Sequence, residues 1–207
     1  MGRRAHLGLG IGIAALLWFY MFSPWTSGLS NFWMNMSIAA VVLSVIAITG
    51  NGGPGLKTDH ILEQLVLGIA IAVFLWGVFW VGDKLSQMMF SFARGQVDSV
   101  YGMKAGLPPS VITFLLLFLI GPAEEYFWRG YVQRNMSGKI GATAAMFVTA
   151  IIYAAVHIWS FNFMLVMAAL VAGGVWGLIY RIRPSLLPAL IVSHAVWDAL
   201  VFVILPI

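Results

Sequence analysis

The chain has 207 residues, of which 61% are hydrophobic and 9% charged, with a net charge of +4 and no cysteine. A soluble domain carries about 25% charged residues, so this composition excludes an ordinary water-soluble enzyme. The missing thiols exclude disulfides, cysteine nucleophiles and Cys-based zinc sites. The basic residues flank apolar runs and form no patch with interleaved aromatics, which argues for membrane flanks and against a nucleic-acid partner.

In chain order, Arg3 and Arg4 precede an apolar run from Leu7 to Phe22. A basic start and an apolar core also fit a signal peptide. However, Ser23-Pro24-Trp25 offers no small-residue cleavage site, and further spans follow, so a retained first helix is expected. A second span covers about Phe32 to Thr49 and ends in the loop signal Gly50-Asn51-Gly52-Gly53-Pro54-Gly55. Lys57, Asp59, His60 and Glu63 belong to that loop or to the next helix start. The third span runs from about Ile61 to Val81, with Trp76 and Trp80 placed for a membrane interface.

Residues 82 to 109 are the longest polar stretch, carrying Asp83, Lys84, Arg94, Asp98 and Lys104. Met88, Met89, Phe90 and Phe92 there fit either an amphipathic surface helix or a plain connection. The fourth span starts near Ser110 and reaches Glu124-Glu125, with Gly121-Pro122 placed to kink it. Arg129, Arg134 and Lys139 follow it. The fifth span is about Ile140 to Ile158 and the sixth about Phe163 to Tyr180, where Gly173, Gly174 and Gly177 allow a close helix neighbour. The seventh starts near Leu186. The pattern predicts an all-α fold, a polytopic membrane bundle of about seven helices in one domain, 1–207. Arg3, Arg4, Lys57, Arg129, Arg134, Lys139, Arg181 and Arg183 fall on one side; Lys84, Arg94 and Lys104 fall on the other. This bias predicts a cytoplasmic N-terminus, in an integral protein of a prokaryotic inner or plasma membrane.

Few ionisable residues remain inside spans: Glu124, Glu125, His157, His194 and Asp198. Such residues are costly in hydrocarbon and mark functional sites. Glu125 and Arg129 are one helical turn apart, as are His194 and Asp198, so each pair shares a face. Glu124 points about 100° away from Glu125. Glu125 is therefore expected to pair with Arg129, and Glu124 to meet His157 and His194 across the bundle. A carboxylate beside an imidazole can take a proton from water and pass it to a leaving amine. A histidine with a neighbouring Asp can stabilise an oxyanion. Tyr126, Phe127, Trp128 and Tyr153 read as packing residues. On straight antiparallel helices, Glu124 and His157 sit at levels differing by on the order of 15 Å, so a break or tilt has to bring them together.

Glu124-Glu125-x-x-x-Arg129, then Tyr153-x-x-x-His157, then His194-x-x-x-Asp198 resembles the CPBP family of CAAX proteases and bacteriocin-processing membrane proteins, also called the Abi family. The likeness covers roughly residues 110–205, which would be the catalytic core, with 1–109 as N-terminal accessory helices and loop. It implies an intramembrane endopeptidase that needs no metal. Glu124 and His157 would activate water, His194 and Asp198 would form the oxyanion site, and Glu125 and Arg129 would be supporting residues. Two positions depart from the family pattern: Tyr153 stands where Phe is usual and Asp198 where Asn is usual. An ionised Asp donates no hydrogen bond, which leaves open a zinc variant using His157, His194 and a carboxylate. The expected partners are the lipid bilayer and a peptide or protein substrate: prenylated CAAX-type tails, bacteriocin leaders or sorting helices. A proton-coupled transporter predicts an internal repeat, and none is visible. A non-enzymatic immunity or scaffold protein predicts a lost catalytic position, but Glu124, His157 and His194 are all present.

Overall fold

A computed structural model describes residues 3–51 and 60–207. The expected loop residues 52–59, with Lys57 and Asp59, lie outside the described residues. Seven helices among the rest are long and apolar enough to cross a membrane. In lipid every backbone polar group must be satisfied within the protein, which is why long apolar runs resolve into helices. They are α1 (Arg3–Phe22), α2 (Phe32–Asn51) and α3 (Ile61–Met89). A short helix α4 (Ala93–Gly102) lies between them and the second half of the chain. Then come α5 (Pro109–Ile140), α6 (Ala142–Ala155), α7 (Phe163–Ile182) and α8 (Pro184–Ile204).

The bundle is inside-out by the standards of a soluble protein. Large apolar side chains such as Leu16, Met88 and Phe118 are exposed, and in a bilayer these face lipid tails. The interior carries the polar groups: Glu124, Glu125, Arg129, Gln133, His157 and His194 are all buried. The protein is an integral membrane protein with an all-α fold.

Two span readings change. Helix α3 continues past Val81 to Met89, so Met88 and Met89 close a spanning helix; the short amphipathic helix starts only at Ala93. Helix α5 does not stop at the glutamates but runs on to Ile140. Arg129 is therefore no loop cation: it is fully buried and leaves the tally of flanking charges. Apolarity marks what lipid touches, and the stretch Phe127–Gln133 of α5 is covered by protein instead. The glycines of α7 act as expected at two of three positions. A Cβ on Gly173 would stand 2.8 Å from the Tyr153 ring, and one on Gly177 3.3 Å from Gln133, while Gly174 faces open space.

Candidate active site

The site begins with an irregular stretch of α5. Pro122 has no N–H to give, which in a regular helix breaks a backbone bond and kinks the axis. Here the preceding turn, Leu116–Ile120, is wide, and the Gly121 N–H bonds back to the Leu116 carbonyl. A second wide stretch follows the glutamates at Tyr126–Gln133. Such π-turns are rare and recur at functional sites. Gly121 lies against α8: a Cβ there would come 2.6 Å from the Ala195 Cα. That backbone contact, which only glycine permits, sets the glutamates beside His194.

The two glutamates then part. Glu125 is fully buried. One carboxylate oxygen is 2.9 Å from Arg129 Nε and the other 3.3 Å from His194 Nδ1. The Arg129 contact is close but not aligned as a hydrogen bond. Arg129 also donates from Nη2 to the Gly173 carbonyl at 2.9 Å and lies over the Tyr153 and Trp176 rings. The His194 ring stacks on Trp176 at 4.1 Å, and its Nε2 is 3.5 Å from Asp198 Oδ2. Each His194 nitrogen thus faces a carboxylate. The expected Glu125–Arg129 and His194–Asp198 pairings are both present. The structure adds a Glu125–His194 contact that joins them.

Glu124 faces the other way. Its Oε2 accepts a hydrogen bond from the Tyr153 hydroxyl at 3.0 Å. It lines a cavity of about 590 Å³ together with Tyr153, His157, His194 and Asp198, and Glu125 does not. The remaining wall is largely aromatic and aliphatic, with Phe22, Trp33, Phe79 and Phe202 among its residues. A buried carboxylate, two imidazoles and an apolar groove therefore share one space, the usual make-up of a ligand site.

His157 sits just beyond the end of α6, where the chain turns into the short 3-10 turn Ile158–Ser160. Its Nδ1 is 2.8 Å from the Tyr153 carbonyl, an acceptor, so that nitrogen carries the proton. Its Nε2 then accepts from Trp18 Nε1–H at 2.9 Å. Glu124 and His157 line the same cavity, and Tyr153 connects them, through its hydroxyl to one and its carbonyl to the other. The 15 Å mismatch disappears because α5 is twice as long as read, which puts Glu124 near mid-helix. Among the described residues, no three His, Asp or Glu side chains are grouped to hold one metal ion.

Sequence reasoning missed three residues here. Tyr153 was read as packing, yet its position one turn before His157 already placed it on the same face. Trp18 and Trp176 carried no sequence signal beyond being tryptophans in apolar spans.

A family model described as type II CAAX prenyl endopeptidase Rce1-like matches residues 105–200. Residues 105–200 belong to the Rce1-like family. Glu124, Glu125, Arg129, Tyr153, His157, His194 and Asp198 all fall inside that segment, whereas Trp18 and Phe22 fall outside it. Over that segment the chain is similar to CAAX-type prenyl endopeptidases. No curated protein matches the chain. No solved structure matches it.

Proposed function

We propose that this Rce1-like protein hydrolyses a peptide bond of a membrane-associated or lipid-anchored substrate with water activated by Glu124. The observation that carries the reading is the contrast in the glutamate pair: Glu124 lines the cavity, held by a single neutral hydroxyl, while Glu125 is locked behind it between Arg129 and His194.

The steps follow from that arrangement. The Tyr153 O–H holds Oε2 and leaves the Glu124 carboxylate oriented toward the cavity. The carboxylate takes a proton from water as the hydroxide oxygen bonds to the substrate carbonyl carbon. The carbonyl π pair moves onto oxygen. A cationic His194, held between Glu125 and Asp198 on the cavity wall, supplies positive charge to stabilise that oxyanion. When the intermediate collapses, the C–N bond breaks and Glu124 returns its proton to the leaving amine. The apolar wall excludes bulk water and suits an aliphatic or prenyl-bearing segment. Prenylated CAAX-type tails are the substrate class this reading favours.

The test is cleavage of prenylated and unprenylated membrane-anchored peptides by purified protein in detergent, with products mapped by mass. Wild type should cut at one bond, in the presence or absence of a strong chelator, and Glu124→Ala should not. Failure of wild type to cut any peptide would contradict the protease reading. Activity abolished by chelator and restored by zinc would replace the glutamate mechanism with a zinc one using His157, His194 and a carboxylate.

A further inference from the structure

Helix α1 lies outside the matched segment, yet it supplies a direct partner to a motif residue. Trp18 is fully buried. Its indole N–H points at His157 Nε2 at 2.9 Å, with the two rings edge to face at 5.9 Å. Phe22, one turn on, packs on the same imidazole at 5.5 Å. The other His157 nitrogen is committed to the Tyr153 carbonyl. Every hydrogen-bonding position of the imidazole is thus filled from inside the protein. A neutral imidazole has one donor and one acceptor nitrogen, and here a backbone carbonyl takes the donor and an indole takes the acceptor.

A hydrogen-bonded series results. Trp18 donates to His157, His157 donates to the Tyr153 carbonyl, and the Tyr153 hydroxyl donates to Glu124. The groups around the imidazole are few: Trp18 and Phe22 from α1, Tyr153 from α6, and across the cavity Glu124 from α5 with His194 and Asp198 from α8. Among the described residues none of the three across the cavity hydrogen-bonds to the imidazole, whereas Trp18 does.

We propose that Trp18 is a positioning residue of the active site: it fixes His157 as the Nδ1–H tautomer and, through Tyr153, holds the Glu124 carboxylate in its working orientation. Helix α1 is then part of the catalytic apparatus and not an accessory to it. His157 serves as a fixed link to Tyr153, and the water's proton goes to Glu124. This inference rests on the protease reading for its kinetic consequence, and its structural core stands apart from that reading.

The test uses full-length protein in detergent with ¹⁵N-labelled histidine rings. Comparison with a His157→Gln spectrum identifies the His157 signals. Wild type should show His157 as the Nδ1–H tautomer with a hydrogen-bonded Nε2. Trp18→Phe, which keeps an aromatic ring and deletes the N–H, should shift the Nε2 signal to that of an unbonded acceptor or mix the tautomers. On a prenylated fluorogenic peptide it should lower kcat about tenfold, which is 1.36 kcal/mol, with KM within twofold. Tyr153→Phe should lower kcat without moving the His157 signals. The double variant should lose little more than Tyr153→Phe alone, because coupled residues are non-additive. Unchanged His157 signals in Trp18→Phe would overturn the tautomer claim, whether or not any peptide is cut. Shifted signals with kcat unchanged, or fully multiplicative losses in the double variant, would overturn the positioning claim. Wild type that cuts nothing, with the signals shifting as described, would sink the protease reading and with it the kinetic role, leaving the hydrogen bond as architecture.

Discussion

The two walls of the cavity are built on opposite plans. On the α8 side, His194 and Asp198 line the cavity and Glu125 and Arg129 stand behind them, a series of ionisable groups in mutual contact backed by the Trp176 ring. On the α6 side, Glu124 accepts a hydrogen bond from the neutral Tyr153 hydroxyl, and His157 is tied to a backbone carbonyl and an indole. Two glutamates adjacent in sequence therefore live in different electrostatic surroundings. A buried charge stripped of its partner is severely destabilising, which gives the first wall a structural role. A carboxylate held by one neutral donor keeps its capacity to accept a proton, which suits the second wall to chemistry.

Removing the centre of the charged wall should have the largest effect. Arg129→Ala removes the guanidinium beside the buried Glu125 carboxylate, leaving it His194 alone, and removes the donor to the Gly173 carbonyl. A loss of about 3–5 kcal/mol is expected, seen as a large drop in the unfolding temperature in detergent, or as failure to recover folded protein. Near-normal stability would mean that the charged wall does not hold the bundle together.

Forcing the walls apart should cost less. In Gly121→Val the new Cβ meets the Ala195 backbone, and overpacking of this kind costs about 1–3 kcal/mol. Because the contact sets Glu125 against His194, cleavage should fall by a larger factor than stability alone explains. Full activity in a stable variant would show that the α5–α8 approach does not set the site geometry.

The smallest change is expected at the wet end of the charged wall. The Asp198 side chain is 17% exposed, against 0% for Glu125. Asp198→Asn preserves shape and adds a donor. Cleavage should stay within about tenfold of wild type, equivalent to 1.36 kcal/mol, and remain insensitive to chelator. Complete loss would show that the charge on Asp198 is required.

The same contrast explains what the sequence could and could not convey. Glu125 with Arg129, and His194 with Asp198, are neighbours within one helix, so the helical repeat alone predicts them. Seven spans were legible because lipid demands continuous apolar runs. Partners across helices depend on rotation and depth, which periodicity does not encode. Trp18 on His157, Trp176 on His194 and the Tyr153 hydroxyl on Glu124 are all of that kind. The end of α5 was misplaced for a related reason. Arg129 and Gln133 resemble loop residues, but protein rather than lipid surrounds them, and each donates to an α7 carbonyl.

The most direct measurement compares Glu124→Gln with Glu125→Gln, each read for both cleavage and thermal unfolding. A crossed pattern is expected. Glu124→Gln should fold as wild type does and lose roughly 10²–10⁴-fold in kcat, the range for a missing general base. Glu125→Gln should lose stability first, and what remains folded should retain more activity than Glu124→Gln. The reverse pattern, an active Glu124→Gln beside a stable but inactive Glu125→Gln, would contradict the assignment of the two glutamates.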